Sequence, residues 1–263
     1  MHLERANDSA SAIPVGGTSD WAVTSHTEPV HEFSWYPFCR GVAEFVAALI
    51  LLVVTAPIVF VAASAVRLTS RGPALYAQRR LGRGGRVYTM YKLRSMYHEC
   101  ERQSGICWSR PGDPRITPVG RFLRFTHIDE LPQLWNVLKR EMSLIGPRPE
   151  RPELVARLTH DIPRYRERLQ VRPGVTGLAQ VQLPYDSSLE SVRRKLAYDL
   201  YYIEAVSPGL DLRILFGTAL KMCGIPFSVI RWLFVMPSVA EVEAAYHCAA
   251  PRRLTVAPQP QPA

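Results

Sequence analysis

The residues of this chain best placed to do chemistry are two adjacent acids, Asp129 and Glu130, followed at once by Leu131-Pro132. Proline is accepted in the first turn of a helix but not deeper, so Pro132 fixes a helix start near Asp129, most simply with Asp129 as the N-cap. Both carboxylates then lie at the positive end of the helix dipole, beside unpaired backbone donors, where an anionic phosphate is also favoured. An isolated Asp at such a spot usually only caps the helix. Here its company argues for more. Arg121 and Arg124 lie within two turns upstream, and Lys92 and Arg94, two apart on a strand, share a face. Gly146-Pro147-Arg148-Pro149 and Arg172-Pro173-Gly174 are rigid turns that each present an Arg. Cations on rigid turns around paired carboxylates are how a site for a diphosphate and a divalent metal is built. A carboxylate can also act as a nucleophile, splitting one displacement into two.

The elements that must position these residues are short. Ala74–Leu81 and Arg86–Leu93 read as two strands of a β-hairpin around Gly82-Arg83-Gly84-Gly85. That glycine loop fits neither dinucleotide-binding nor P-loop spacing and precedes a strand, so it reads as a turn and not as a phosphate cradle. Beyond residue 118 the pattern is helical, over Val119–Phe125, Glu130–Arg140, Pro149–Thr159, Leu189–Glu204 and Leu210–Cys223. His98 and His127 have no metal-like companions. The five cysteines show no C-x-x-C spacing, which points to free thiols in a reducing compartment.

Phe45–Val66 is the longest apolar run, 22 residues without a charge. As a straight helix it would reach about 33 Å, enough for a hydrocarbon core of roughly 30 Å. Pro57 predicts a kink within it, which would let the two halves enter and leave a bilayer on one side. Charge placement leans toward a simple crossing instead, with eight Lys or Arg between Arg67 and Arg94 against Arg5 and Arg40 in the leader. The part after the run is predicted to be cytoplasmic either way, and the leader's side stays open. The first 35 or so residues read as a disordered leader with no secretory signal, and Ala249–Ala263 as a low-complexity tail. Lys and Arg outnumber Asp and Glu by 32 to 23, a balance suited to nucleic acid, acidic lipid or a phosphorylated substrate. A nucleic-acid reader would gather its cations on one helix or among aromatics; here they sit on turns near acids.

Three blocks make a resemblance plain: Tyr91-Lys92-Leu93-Arg94-Ser95-Met96, then Asp113 to Pro149, then Val171-Arg172-Pro173-Gly174-Val175-Thr176-Gly177-Leu178-Ala179-Gln180-Val181. In order and spacing the chain resembles the bacterial sugar transferases, the monotopic polyprenyl-phosphate sugar phosphotransferases, over about residues 40 to 222. The resemblance implies transfer of a sugar 1-phosphate from a UDP-sugar to undecaprenyl phosphate with release of UMP, the first membrane step of exopolysaccharide or glycoconjugate synthesis. Asp129 then matches the nucleophile that takes the phosphosugar covalently. Glu130 matches its acidic partner, associated with Mg2+, and Lys92, Arg94, Arg124, Arg148 and Arg172 match phosphate-binding positions. The implied fold is α+β and mostly helical, with one N-terminal membrane helix, re-entrant and broken near Pro57. A β-hairpin and amphipathic interfacial helices surround a cytoplasmic active site at the inner membrane. The division expected is a leader over 1–39, membrane helix over 40–68, catalytic domain over 69–224 and C-terminal extension over 225–263. The implied partners are the UDP-sugar, undecaprenyl phosphate and the bilayer, without nucleic acid; a homo-oligomer is left open. A membrane-anchored nucleic-acid-binding protein and a non-catalytic scaffold are the alternatives. Departures are His127 where a small hydroxyl residue is usual, Arg140-Glu141 in place of Gly-Asp, and Ala56 before Pro57. Ile225–Met236, at 12 residues too short to span, is expected in the interface.

Overall fold

The computed structural model describes residues 35–100, 112–184 and 188–248. The predicted disordered leader before Trp35, Cys107 and the low-complexity tail lie outside the described residues. Over the described residues the chain is mostly helical, with two small sheets of two strands each.

Helix α1 runs from Trp35 to Thr69 with Pro57 inside it, starting well before Phe45 and taking in residues that sequence reading assigned to the leader. Only Ala48, Ala62 and Val66 of it are buried. Its middle faces outward, with Val53 65% and Phe60 73% exposed. Each such apolar side chain left in water forfeits about 1.5–3 kcal/mol, so a run of them calls for lipid. Thr55, two residues before Pro57, donates from its hydroxyl to the Leu51 carbonyl at 2.6 Å, a bond that favours bending.

Both ends of α1 are tied to the same folded body. At the start, Tyr36 donates to Asp211 at 2.5 Å, and Arg40 donates to the Ile145 carbonyl at 2.7 Å and to Ser143 at 3.0 Å. Ala48 enters the main core. At the far end, Ala62 and Val66 pack with Leu93 and Leu123, and the carbonyls of Ser70 and Arg71 accept from the Arg94 guanidinium.

After α1 come β1 (Leu75–Leu81) and β2 (Val87–Leu93), paired antiparallel with Leu75 opposite Leu93 and Leu81 opposite Val87, as the two predicted runs require. Helix α2 (Pro118–Thr126) follows, capped by Thr117. The predicted helix over Glu130–Arg140 is different in kind: a 3-10 turn over Ile128–Gln133 leads into a short α3 (Leu134–Leu138). Pro132 lies within that turn without an N–H to give, and Asn136 ends the helix early. Its carbonyl accepts from Glu141 and Met142, and its side chain spans to β2 at Thr89 and Tyr91.

Strands β3 (Ser143–Ile145) and β4 (Gly174–Thr176) pair in parallel, an element the sequence reading missed. Their flanking turns approach so closely that a Cβ on Gly174 would lie 2.1 Å from the Gly146 nitrogen, which excludes any side chain there. Helix α4 (Pro152–Asp161) starts at Pro152 and not at the predicted Pro149. A 3-10 turn at Tyr165–Gln170 and helix α5 (Leu178–Gln182) were not foreseen. Helices α6 (Leu189–Ala205, with a Ser188–Ser191 capping box) and α7 (Pro208–Met222, capped by Ser207) match their predicted spans. The apolar Ile225–Met236 stretch folds as α8 (Phe227–Phe234), burying Ile230 and exposing Trp232, and α9 (Val239–Cys248) closes the described chain.

Candidate active site

The site is made where β2, the end of α2, the 3-10 turn and the Gly146–Glu150 turn meet. Helix α2 ends at His127, which is left-handed (φ 56°) and returns its N–H to the Arg124 carbonyl. Histidine is among the few non-glycine residues enriched in that conformation. His127 thereby turns the chain straight into Ile128-Asp129-Glu130. It, and not Asp129, occupies the N-cap position, and Asp129 and Glu130 lie in the first turn that follows.

Asp129 is 6% exposed, and its carboxylate accepts no hydrogen bond among the described residues. Burial, and then the charge of Glu130, push its carboxyl up to about 6, against the pull of Lys92, Arg124 and Arg148. Glu130 is the opposite case. Burial disfavours its charge too, but Arg148 and Lys92 overcome this and hold it well below the usual carboxylate range. Glu130 Oε1 accepts from Lys92 Nζ at 2.7 Å and from Arg148 Nη2 at 2.6 Å, while Oε2 has only a longer contact with Arg148 Nη1 at 3.4 Å. For Lys92, burial lowers the ammonium more than Glu130 raises it. Two neighbouring carboxyls with affinities for protons driven apart are the usual mark of divided roles.

Arg124 is held by Ser95, accepting its Nε–H at 2.8 Å, and its charge reaches Asp129. With both acids ionised, Lys92, Arg124 and Arg148 leave the cluster with one excess positive charge, suited to a phosphate. The structure therefore brings together Asp129, Glu130, Lys92, Arg124 and Arg148. It does not bring in Arg94, whose donors end on the Ser70 and Arg71 carbonyls and the Ser70 hydroxyl, closing α1. Arg172 also stands apart: its charged neighbours are Arg140, Arg83, Glu44 and Arg40, and it makes no hydrogen bond or ion pair among the described residues.

A divalent ion finds a restricted place here. No group of three or more His, Cys, Asp or Glu that could hold a metal occurs among the described residues. Asp129 accepts no hydrogen bond among the described residues and Oε2 of Glu130 has only its long contact with Arg148. This fits Mg2+ only in the manner it commonly adopts, with one or two carboxylates, water and substrate phosphates.

Sequence reasoning missed what lies beneath. Glu150 pairs with Lys195 at 2.9 Å and Arg80 at 3.4 Å, and Arg168 pairs with Asp199 at 2.7 Å. Burial alone would raise Glu150, but Lys195, Arg168 and Arg80 bring it down to about 2.

Residues 35–224 match the profile of bacterial sugar transferases. The chain is 42% identical over 183 residues to a UDP-N-acetylgalactosamine-undecaprenyl-phosphate N-acetylgalactosaminephosphotransferase of Aeromonas hydrophila, covering 70% of this chain and 43% of that one. It is 44% identical over 181 residues to a UDP-glucose:undecaprenyl-phosphate glucose-1-phosphate transferase of Caulobacter vibrioides, covering 68% and 67%. It is also 39% identical over 184 residues to exopolysaccharide production protein PSS of Rhizobium leguminosarum, covering 68% and 92%. The chain thus spans less than half of the Aeromonas relative and about two thirds of the Caulobacter one. With its two acids, three cations and apolar N-terminal helix inside the matched region, this chain belongs to the bacterial sugar transferase family.

Proposed function

We propose that the chain transfers a sugar 1-phosphate from a UDP-sugar to undecaprenyl phosphate, releasing UMP, through a covalent intermediate on Asp129. The observation that carries this reading is the buried, unbonded carboxylate of Asp129 beside a Glu130 already matched by Lys92 and Arg148. A carboxylate oxygen of Asp129 attacks the sugar-bearing phosphorus. The bond from that phosphorus to the bridging oxygen breaks, and the electron pair leaves with UMP. An oxygen of undecaprenyl phosphate then attacks the same phosphorus, restoring the carboxylate and leaving the sugar on a lipid diphosphate.

Lys92, Arg124 and Arg148 supply the positive field for the transferred phosphoryl group. Holding Glu130 ionised keeps Lys92 and Arg148 in place, whereas burial keeps Asp129 basic enough to attack. Glu130 would help to hold Mg2+, which when bound would neutralise charge building on the leaving phosphate. Arg172, without an ion pair among the described residues, is assigned to a further phosphate; Arg94 serves the end of α1 instead. The differing sugars of the relatives' names leave the sugar open.

The tethering of both ends of α1 to one body supports a re-entrant course, in which the exposed middle dips into the inner membrane and the catalytic body stays on the cytoplasmic side. Exposed Phe122 and Phe125 on α2 and Trp135 on α3 flank the site in sequence and suit a headgroup depth, where a soluble nucleotide and a lipid phosphate can both reach Asp129. The test is UMP release from a panel of UDP-sugars with undecaprenyl phosphate in nanodiscs. Release with at least one sugar is expected; none from folded protein would overturn the reading.

A further inference from the structure

The turn Gly146–Glu150 carries Arg148 to Glu130, and every carbonyl from Pro147 to Glu150 is pinned from another element. Pro147 accepts from the Gly174 N–H at 2.9 Å and Glu150 from the Leu81 N–H at 3.1 Å. The two between are taken by side chains: Pro149 by Arg80 at 3.0 Å and Arg148 by Arg168 at 2.8 Å. Pro147 and Pro149 also fix their own φ angles on either side of Arg148.

Arg168 is 4% exposed and uses its guanidinium fork on three elements at once. Nη1 donates to the Tyr165 hydroxyl at 2.8 Å, and Nη2 donates to Asp199 on α6 at 2.7 Å as well as to the Arg148 carbonyl. A buried ion pair is a poor way to gain stability, since apolar residues of similar volume commonly do as well or better. A fork that joins a helix to the backbone of a site residue does something apolar residues cannot.

We propose that Arg168, anchored by Asp199, is a positioning residue that fixes Arg148 against Glu130 and thereby aims the cation that meets the transferred phosphate. The assignment rests on the phosphotransfer reading above. Arg168 touches no reacting atom; it acts through the Arg148 backbone. Lysine at 168 would keep the charge beside Asp199, but its single ammonium cannot span Tyr165, Asp199 and the carbonyl together.

The test is a double-mutant cycle on kcat/KM for UMP release with Arg168→Lys, Arg148→Ala and the pair, joined to thermal melting and a structure of the Arg168→Lys protein. Arg168→Lys is expected to cost about 10- to 100-fold, the usual scale for ångström misplacement of a site group. In the Arg148→Ala background it is expected to cost nothing further, although the melting temperature falls equally in both. In its structure the Arg148–Glu130 contact, 2.6 Å here, is expected to be lost. Costs that multiply across the cycle would make Arg168 merely structural and overturn the proposal, as would an unchanged Arg148–Glu130 contact. If Arg168→Lys does not accumulate folded, Tyr165→Phe loosens the same fork at constant volume, and the same cycle and contact decide. If the wild type releases no UMP from any sugar, the phosphotransfer reading fails by itself, and the Arg148–Glu130 contact in the variant still decides the positioning.

Discussion

Two clusters of buried charge lie on either side of the Arg148 turn, and they are built to opposite ends. Beneath the turn both acids are paired, Glu150 with Lys195 and Arg80 and Asp199 with Arg168, at 2.7 to 3.4 Å. Above it, Glu130 takes two cations while Asp129, almost as buried as Asp199, takes no hydrogen bond among the described residues. The lower cluster satisfies its charges and so holds a shape. The upper one leaves one carboxylate unsatisfied, and that carboxylate is the one free to form a bond. Stability spent at a reacting group and recovered in its support is a common division.

The widest break between the clusters is in activity. Asp129→Asn should reduce UMP release below detection while the protein still partitions with membranes. Neutralising an acid should also move stability in opposite directions. Asp199→Asn leaves Arg168 facing only the more distant Glu150, 4.0 Å away, and is expected to destabilise by about 3 kcal/mol, the lower end for breaking a buried pair. Asp129→Asn is expected to stabilise by about 1–3 kcal/mol at pH 7.5, because each unit of raised affinity for a proton corresponds to roughly 1.4 kcal/mol. The sign follows from a folded-state value of about 6, above the ordinary carboxylate value of 3.8. Ionising Asp129 therefore costs stability in full above about pH 6, and that burden is relieved as pH falls from about 6 toward 3.8. Chemical denaturation in detergent at pH 7.5 and pH 4.5 checks both variants, and the gain from Asp129→Asn should shrink at the lower pH. The smallest effect is in the pH profile. Transfer needs the ionised carboxylate, so kcat/KM should fall as pH drops through about 6, where an ordinary Asp would hold to about 4.

The unsatisfied cluster was also the more legible in the sequence. Pro132 announced a helix start at Asp129-Glu130, though it is a 3-10 turn with His127 and not Asp129 at its N-cap. Proline-bound turns announced Arg148 and Arg172, and the uncharged run announced α1. The supporting cluster was silent. Arg168 and Asp199 are 31 positions apart, and on helical segments such charges read as solvated faces until tertiary packing buries them. Lys92 and Arg94 share a strand face by period, but β2 ends at Leu93, and the carbonyls that claim Arg94 come from Ser70 and Arg71 just past α1, some 24 residues earlier. The strands β3 and β4 are three residues each, too short for a period of two to show. His127 was noticed as a departure, but its left-handed backbone, which delivers Asp129, could be seen only in the fold.

The central claim is that Asp129 carries the phosphosugar. The most direct measurement is mass spectrometry of protein quenched after exposure to a UDP-sugar that supports UMP release, with undecaprenyl phosphate left out. A sugar-phosphate adduct on the peptide at Asp129, discharged when undecaprenyl phosphate is added, is the expected result. An adduct on another residue, or transfer at full rate with no adduct at any time, would contradict it.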